Sequence, residues 1–258
     1  MTDGFVAMSG LKSNLEWIQW GKDDPLWGVA TWADKQKGGA SPWTEPEFYG
    51  AGQSDWEDFL PHWRQYGVSR ETCLEAGCGA GRITKPLSTW FRRVQAVDVS
   101  PEMIDCARKA VGGNVEFSVI DGIHLPQPDG SVQAVFSTHV LQHLDSVEIG
   151  FAYLREFYRV LEAGGSMMVH LPLYELPAEG RVDLVLRPIH GVFRQLLHLR
   201  AQLKRSAGVK IMRGTRYPIR ALNAFLVRAG FEDIEFRFFA VKRDRMDLHP
   251  FVMARKPA

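Results

Sequence analysis

The stretch Leu74-Glu75-Ala76-Gly77-Cys78-Gly79-Ala80-Gly81-Arg82 decides the fold of this chain. It joins an apolar lead-in to three closely spaced glycines, which is typical of a buried strand that turns tightly into a helix. We predict a strand over 72–76 and a helix over 80–90. Glycine lets the backbone approach a ligand closely, and the first turn of the helix offers unpaired N–H groups. The stretch therefore predicts a loop that binds a small molecule.

The spacing of the glycines separates two cofactor classes. A dinucleotide site needs G-x-G-x-x-G, with the pyrophosphate on the helix N-terminus. Here Arg82 occupies the third glycine position of that pattern, and Gly81 lies one residue earlier. A nicotinamide-dependent oxidoreductase therefore fits poorly and is kept as the alternative. The order Glu75, Gly77, Gly79, Gly81 instead resembles the first motif of the class I S-adenosylmethionine-dependent methyltransferases.

The downstream sequence follows the order of elements in that family. The further predicted strands are 93–99, 115–120, 132–137 and 166–171. Asp98 ends the second strand, about 20 residues after the glycines, where an acid can accept hydrogen bonds from ribose hydroxyls. Ser100 and Pro101 then open a helix as its cap and first residue. The resemblance implies a Rossmann-like α/β fold: a doubly wound sheet of about seven strands, mostly parallel with an antiparallel last strand, and helices on both faces.

The resemblance also implies a cofactor site at the carboxyl edge of this sheet. The residues assigned to S-adenosylmethionine are Glu75, Gly77, Cys78, Gly79, Gly81, Arg82, Asp98, Val99, Met103, Asp121, Gly122, Ile123 and Thr138. In the family, the position of Asp121 and Gly122 contacts the adenine amino group. Asp98 has an alternative interpretation as a helix cap, Asp121 as a turn former, and Arg82 as a solvated residue of the first helical turn. No metal is expected.

Catalysis of methyl transfer needs little covalent help. The acceptor displaces the sulfonium directly, so most of the acceleration is expected from alignment of the reactants and exclusion of water. A base would raise the nucleophilicity of a hydroxyl acceptor, and imidazole has a suitable pKa. The candidates are His139 and His143, which follow the fourth strand, with His139 nearer the strand end. The alternative for both is a structural histidine that is hydrogen-bonded in the fold.

Two segments are assigned to the acceptor side. Residues 1–70 hold seven of the eight tryptophans and are predicted to form a cap or lid, not a helical bundle, with one amphipathic helix over 55–66. Residues 174–216, inside a methyltransferase domain over 71–258, are predicted to be a basic insertion with a helix from about Pro188. The candidate acceptor contacts are Trp43, Tyr49, His170, Arg194 and Arg200. The alternatives are aromatic residues that only fold the segment onto the domain, and arginines that form a solvated face or meet a membrane surface through 185–205.

Composition limits the classes of function. The chain has 258 residues, of which 45% are hydrophobic and 24% charged, the balance of a soluble globular protein. Its net charge of +1 gives no global attraction to nucleic acid or membrane. The three cysteines make no disulfide framework or paired metal-ligand motif and suit a reducing compartment. No leader pattern or spanning apolar run is visible, so a cytoplasmic location is expected.

The sequence thus predicts an S-adenosylmethionine-dependent methyltransferase with a small-molecule acceptor. O-methylation of an amphipathic metabolite is favoured, with an anionic group bound by the arginines of 174–216. N-, S- and C-methylation stay open, and a catalytically silent methyltransferase-like domain is the second class. No Asn-Pro-Pro-Tyr or Asp-Pro-Pro-Tyr follows the fourth strand, which argues against enzymes that methylate amino groups of DNA or protein glutamine. No nucleic-acid partner is expected.

Overall fold

The glycine-rich loop follows an inner strand of a seven-stranded sheet. The computed structural model of this chain describes residues 11–174 and 214–258. Its strands are β1 (Thr72–Ala76), β2 (Arg93–Asp98), β3 (Val115–Val119), β4 (Val132–Ser137), β5 (Leu161–His170), β6 (Leu173–Tyr174), β7 (Tyr217–Pro218), β8 (Glu232–Val241) and β9 (Asp244–Arg255). The order in the large sheet is β3-β2-β1-β4-β5-β9-β8, while β6 and β7 pair separately.

The strand directions match the predicted fold class. Strands β1 to β5 pair in parallel, and β9 runs antiparallel to both β5 and β8. The chain moves from β1 toward β3 on one side and continues with β4 on the other, so the strand order reverses between β1 and β4. In open α/β sheets, ligands bind beyond the carboxyl ends of the strands at such a reversal. The fold therefore places a ligand crevice directly at the glycine-rich loop.

Helices cover both faces of the sheet. They are α1 (Lys12–Asp23), α2 (Pro25–Val29), α3 (Glu45–Tyr66), α4 (Thr84–Trp90), α5 (Pro101–Ala110), α6 (Val147–Val160) and α7 (Ile219–Ala229), with a 3-10 turn at Leu141–His143. Parallel strands are buried on both faces, and β1 shows this directly. Leu74 belongs to a core shared with Leu154 of α6 and Leu222 of α7, whereas Cys73 belongs to a core shared with Trp63 of α3.

Most predicted elements are confirmed, but some boundaries differ. The strands over 72–76 and 132–137 have the predicted bounds. The Ser100 hydroxyl accepts a hydrogen bond from the Met103 N–H as the cap of α5. The helix after the loop begins at Thr84, because the preceding residues form turns. The fifth strand begins at Leu161 and not at Ser166. Gly164, with a φ of 77°, lies inside a register shift of the strand and does not end it.

The N-terminal segment is more helical than predicted. Helix α3 begins at Glu45 instead of Asp55, because Thr44 and Glu47 form a reciprocal capping box. Helices α1 and α2 were not predicted at all. The end of the predicted insertion is also defined, because Leu173 pairs with Tyr217 and Tyr174 with Pro218. The predicted helix near Pro188 lies outside the described residues. No helix in the described part of the chain is long and apolar enough to cross a membrane.

Candidate functional site

A cavity of about 790 Å³ opens at the carboxyl ends of β1, β2 and β4. The residues of the predicted cofactor and catalytic sets that line it are Glu75, Gly77, Cys78, Gly79, Arg82, Asp98, Val99, Thr138 and His139. The structure thus brings together residues from the ends of three strands, β1, β2 and β4, and from the loops that follow them, at the point where the strand order reverses. Tyr153 of α6 also lines the cavity and was not predicted.

The loop after β1 requires glycine at its closest approaches. Gly77, Gly79 and Gly81 all have positive φ angles, between 52° and 84°. A Cβ atom on Gly79 would lie 2.5 Å from Cγ2 of Val29 in α2. Only glycine can adopt the positive φ of this position and also leave room for the Val29 side chain without strain. Gly81 lies outside the cavity lining and faces Ala107 of α5, so it serves the packing of the loop against that helix.

Asp98 anchors the glycine-rich loop and still faces the cavity. Its Oδ2 accepts a hydrogen bond from the Gly79 N–H at 2.8 Å, and its Oδ1 accepts one from the Ser100 N–H at 2.9 Å. Burial raises the pKa of this carboxyl above its usual range. Each carboxylate oxygen has a second lone pair, so the side chain can accept two further hydrogen bonds. The side chain that caps α5 is Ser100, and Asp98 remains available to a ligand.

Glu75 is a buried acid on the cavity wall with an incomplete set of partners. It is 3% exposed, and its Oε2 has no hydrogen-bond partner among the described residues. Burial raises the pKa of Glu75 to about 7. A buried carboxylate is costly unless a cation or hydrogen-bond donor accompanies it. This position therefore fits a ligand that brings a positive charge into the cavity.

Arg82 is held by a buried acid that the sequence interpretation missed. Asp55 of α3 has 0% exposure and accepts hydrogen bonds from Nη1 of Arg82 and from Nε and Nη2 of Arg243, the latter two at 3.0 and 2.6 Å. Burial alone would raise the pKa of Asp55, but the two guanidinium groups outweigh it and hold the pKa below its usual range. Arg82 is 5% exposed, so its interpretation as a solvated residue is wrong. The sequence did contain a signal for this role. Asp55 lies four residues before Phe59, so it falls on the apolar face of the helix, where a carboxylate needs a buried cationic partner.

Besides Gly81, four predicted cofactor residues lie outside the cavity lining. Met103 is buried in a cluster with Phe48 and Tyr49. The Asp121 carboxylate accepts hydrogen bonds from the N–H groups of Ile123 and His124 and contacts His124 Nδ1 at 2.9 Å, as its interpretation as a turn former predicted. The remaining two residues, Gly122 and Ile123, belong to the same turn.

Helix α1 covers one side of the cavity and supplies Trp17, an aromatic residue of the lining in addition to Tyr153. Ser13, Asn14 and Trp17 all line the cavity. Asn14 Nδ2 donates to the main-chain oxygen of Asp121 at 2.6 Å, which ties the helix across the cavity mouth. The N-terminal segment thus lies where a lid was predicted, with Trp17 in the position expected for Trp43.

The structure does not bring Trp43 and Tyr49 to the cavity lining. Trp43 Nε1 donates to the main-chain oxygen of Ala30 at 2.8 Å, and its ring packs on Trp32 and Phe48. The Tyr49 hydroxyl donates to the main-chain oxygen of Ala80 at 3.0 Å, which supports the glycine-rich loop from behind. Both side chains bury apolar surface while their polar ends find main-chain partners.

A second cavity, of about 580 Å³, adjoins the first. The residues that line both are Trp17, Val29, Arg82 and His139. The second cavity adds Trp32, Gln142, His143 and Arg243 to these. The two spaces thus share one wall, which is the arrangement that a reaction between two bound molecules requires.

The two histidines predicted as bases occupy different positions at this wall. His139 lines both cavities and has a φ of 58°, an uncommon backbone conformation outside glycine that is often found at functional sites. Burial, followed by the nearby charges of His170 and Arg82, holds the pKa of His139 well below its usual range. His143 lines only the second cavity, where its ring meets the edge of Trp17 at 5.2 Å.

The other predicted acceptor residues are distributed differently. His170 is 4% exposed and lies behind His139, with 4.3 Å between the ring centroids. Burial lowers the pKa of His170 to about 3. His170 does not line either cavity. Arg194 and Arg200 lie outside the described residues.

Comparisons with known proteins agree with this geometry. Residues 74–169 match a family model described as a methyltransferase domain. The malonyl-[acyl-carrier protein] O-methyltransferase of Yersinia pestis is 36% identical over 110 residues, which cover 43% of this chain and 38% of that protein. The ajmaline N-methyltransferase of Rauvolfia serpentina is 28% identical over 102 residues, which cover 37% and 34%. The chain thus spans less than two fifths of the length of these curated relatives.

A solved structure extends the likeness over most of the described fold. The magnesium protoporphyrin IX methyltransferase from Synechocystis PCC 6803 with bound SAH aligns with a TM-score of 0.53 at 19% identity. The alignment covers 81% of this chain and 86% of that chain.

The fold and the cavity define a Rossmann-like domain that holds a small ligand at the carboxyl edge of its parallel strands. Residues 74–169 form a methyltransferase domain of the class I S-adenosylmethionine-dependent type, and S-adenosylmethionine is the cofactor of this domain. The resemblance and the cofactor class predicted from the glycine-rich loop are thereby confirmed.

Proposed function

We propose that this chain transfers the methyl group of S-adenosylmethionine to a small amphipathic acceptor in the second cavity, with an acceptor oxygen as the preferred nucleophile. The observation that carries the proposal is the wall shared by the two cavities, formed by Trp17, Val29, Arg82 and His139. Cavities that share four lining residues are adjacent, and a direct displacement needs two adjacent, aligned reactants.

The residues of the first cavity fit the cofactor. Glu75 presents a buried carboxylate oxygen without a partner, which suits the ammonium of the methionine end. Arg82 suits its carboxylate, because a guanidinium keeps its charge when buried. Asp98 retains two lone pairs for the ribose hydroxyls. The bound cofactor supplies an electrophilic methyl group on a sulfonium.

The second cavity favours an acceptor with an apolar body and an anionic group. Trp17 and Trp32 provide aromatic surface at its wall. Arg243 lines this cavity and not the first, and brings a positive charge to it, whereas Arg82 on the shared wall is assigned to the carboxylate of the donor. Arg243 thus supports an anionic acceptor from within the described residues, and the role of Arg194 and Arg200 stays a prediction.

His139 is the better placed of the two candidate bases, because it borders both reactants. Its lowered pKa keeps the imidazole neutral at physiological pH, which leaves a ring nitrogen able to accept a proton but also weakens the imidazole as a base. His143 lies farther from the donor cavity and remains the alternative. The matched relatives methylate oxygen in one case and nitrogen in the other by their names, so the nucleophilic atom rests on this chain's own residues.

The test is incubation of the purified chain with methyl-labelled S-adenosylmethionine and a metabolite extract, followed by mass spectrometry of the small-molecule fraction. We expect label in small anionic products that retain an added methyl on oxygen. Label only in protein or nucleic acid would refute the proposed acceptor class. Cofactor binding without any labelled product would favour a catalytically silent domain.

A matched pair of variants separates acceptor binding from donor binding. Arg243 lines only the second cavity and is partly exposed, so Arg243→Met is expected to raise the Michaelis constant of an anionic acceptor at least 10-fold, on the order of one lost charge-assisted hydrogen bond. The affinity for S-adenosylmethionine should stay within about 2-fold. Arg243→Lys, which keeps the charge, should recover part of the acceptor affinity. Equal effects of both variants on the donor would contradict the assignment of the second cavity.

A further inference from the structure

We propose that His139, His170 and His249 form a binding site for a divalent transition-metal ion beside the acceptor cavity. One ring nitrogen of each histidine lies within 4.8 Å of the others. The three residues come from neighbouring strands of the sheet: His139 follows β4, His170 ends β5 and His249 lies in β9. The spacing of these histidines in the sequence does not predict the group, because they become neighbours only when β4, β5 and β9 lie side by side in the sheet.

The strand register directs two of the side chains to the same face. His170 pairs with Phe251 of β9, and His249 lies two residues before Phe251. Side chains alternate along a strand, so His249 and Phe251 point to one face together with the paired His170. The ring centroids of His170 and His249 are 5.9 Å apart.

The third histidine is turned toward this pair by its backbone. His139 has a φ of 58°, and its ring centroid lies 4.3 Å from that of His170 and 5.8 Å from that of His249. A left-handed conformation at a residue other than glycine costs of order 1–3 kcal/mol and persists where the surroundings require it. Here this conformation directs the His139 imidazole, in the loop after β4, toward the imidazoles of His170 and His249.

An unmade hydrogen bond at the centre of the group points to a ligand. His170 is 4% exposed, and its Nδ1 has no hydrogen-bond partner among the described residues. A buried polar atom left in this way costs about 1–3 kcal/mol. A neutral imidazole nitrogen is the commonest protein ligand of transition metals, so an ion shared with the two neighbours would satisfy it.

The three imidazole ligands determine which class of metal ion the site can bind. Three imidazoles suit zinc, cobalt, nickel, copper or ferrous ions and not the oxygen-seeking magnesium or calcium. In a tetrahedral site with Zn–N bonds of about 2.0–2.1 Å, the ligand nitrogens stand about 3.3 Å apart. The rings must therefore close by up to about 1.5 Å, which side-chain rotation and the loop that carries His139 can supply. Three protein ligands also leave one coordination position open, as in catalytic zinc sites.

The open position has a consequence for the reaction, and this part rests on the proposed function. Of the three ligands, His139 alone lines the two cavities, so an acceptor hydroxyl from the second cavity would have to approach the metal past this side chain. On coordination the hydroxyl releases its proton to water. Its oxygen then bonds to the methyl carbon as the carbon–sulfur bond breaks, and the sulfur leaves as a neutral thioether. His139 would then be a ligand, and no histidine base would be needed.

The test is a cobalt(II) titration of the untagged full-length chain after treatment with a chelator, without donor or acceptor. We expect visible d–d absorption that saturates at about one cobalt per chain and disappears on addition of zinc, which binds such sites more tightly. His170→Gln and His249→Gln should lose the absorption, whereas His62→Gln, which changes a histidine outside the group, should keep it. No absorption from the wild type, or equal absorption from the variants, would overturn the site.

A second measurement, of the melting temperature, distinguishes loss of the metal site from loss of folding in a variant. Zinc should raise the melting temperature of the wild type and of His62→Gln but not that of His249→Gln, since binding to the folded state alone stabilises it. His249 is only half-buried, so its replacement is the milder of the two ligand changes. A zinc-induced shift that persists in His249→Gln would refute the site. The affinity of the metal-free chain for S-adenosylmethionine, measured in parallel, tests the donor site independently of the metal.

Discussion

Replacing Glu75 by glutamine is expected to abolish the pH dependence of S-adenosylmethionine binding between pH 5.5 and pH 7. Burial raises the pKa of Glu75 to about 7 in the free protein, so much of the carboxyl is protonated in this range. An ammonium group binds the ionised form, so binding must first remove that proton. The donor's own α-amino group, with a pKa of about 7.7–8.0, stays largely protonated throughout.

The magnitude follows from the ionised fraction. With a pKa of about 7, the apparent dissociation constant exceeds its limiting value by a factor of about 2 at pH 7 and about 33 at pH 5.5. The wild type should therefore bind the donor about 16-fold more weakly at pH 5.5, a difference of about 1.6 kcal/mol. The lowered pKa values of His139 and His170 keep those two histidines from titrating in this window.

Isothermal titration calorimetry at both pH values measures the effect, with buffers of different ionisation enthalpy to count the proton released. Glu75→Gln should bind more weakly than the wild type at pH 7 and equally at the two pH values. A wild-type dissociation constant that does not change with pH would refute the reasoning. If the dissociation constant of Glu75→Gln still changes with pH, the titrating group is Asp98, because burial also raises the pKa of that carboxyl.

The buried acids at the site differ in what their removal does to stability. Asp55→Asn leaves Arg82 buried without its anionic partner and should lower the free energy of unfolding by about 3–5 kcal/mol in urea denaturation. Glu57→Gln, which breaks an exposed ion pair with Lys242 and alters an exposed hydrogen bond from Gln53, should cause no measurable change. Glu75→Gln should stabilise the free protein above pH 7 by up to about 3 kcal/mol. Because the folded-state pKa of this acid is raised, the wild-type penalty vanishes below about pH 4.5, and thermal melts of the two proteins should converge there.

The parts of the fold that the sequence predicted depend on local signals. The run from Leu74 to Arg82 contains the strand, the turn and the glycine positions within nine residues, and the structure follows it. Ser100 and Pro101 are likewise a cap and first residue that act within one helical turn. The capping box of Thr44 and Glu47 was an equally local signal for the start of α3, and the helix begins where it stands.

The parts that the sequence did not predict depend on contacts between distant segments. Trp17 reaches the cavity because α1 packs on α5, and no property of its local sequence distinguishes it from Trp43. Asp55 meets Arg243 across 188 residues of chain, and only the position of the β8–β9 hairpin brings them together. Where such side chains lie depends on how distant segments pack together. The periodicity of a single segment does not indicate which other segment it will contact.

The proposed acceptor side of the site therefore includes residues of β9 and of the turn that precedes it. Strand β9 lies between β5 and β8, and this position brings His249 beside His170 and places Arg243, at the preceding turn, against the buried Asp55. The donor side, in contrast, is built by the first half of the parallel sheet. The loop after β4, which carries His139, is where the two halves meet, because it borders both cavities. Changes in the β8–β9 hairpin should thus alter acceptor and metal binding while donor binding persists, whereas changes at His139 should affect both sides.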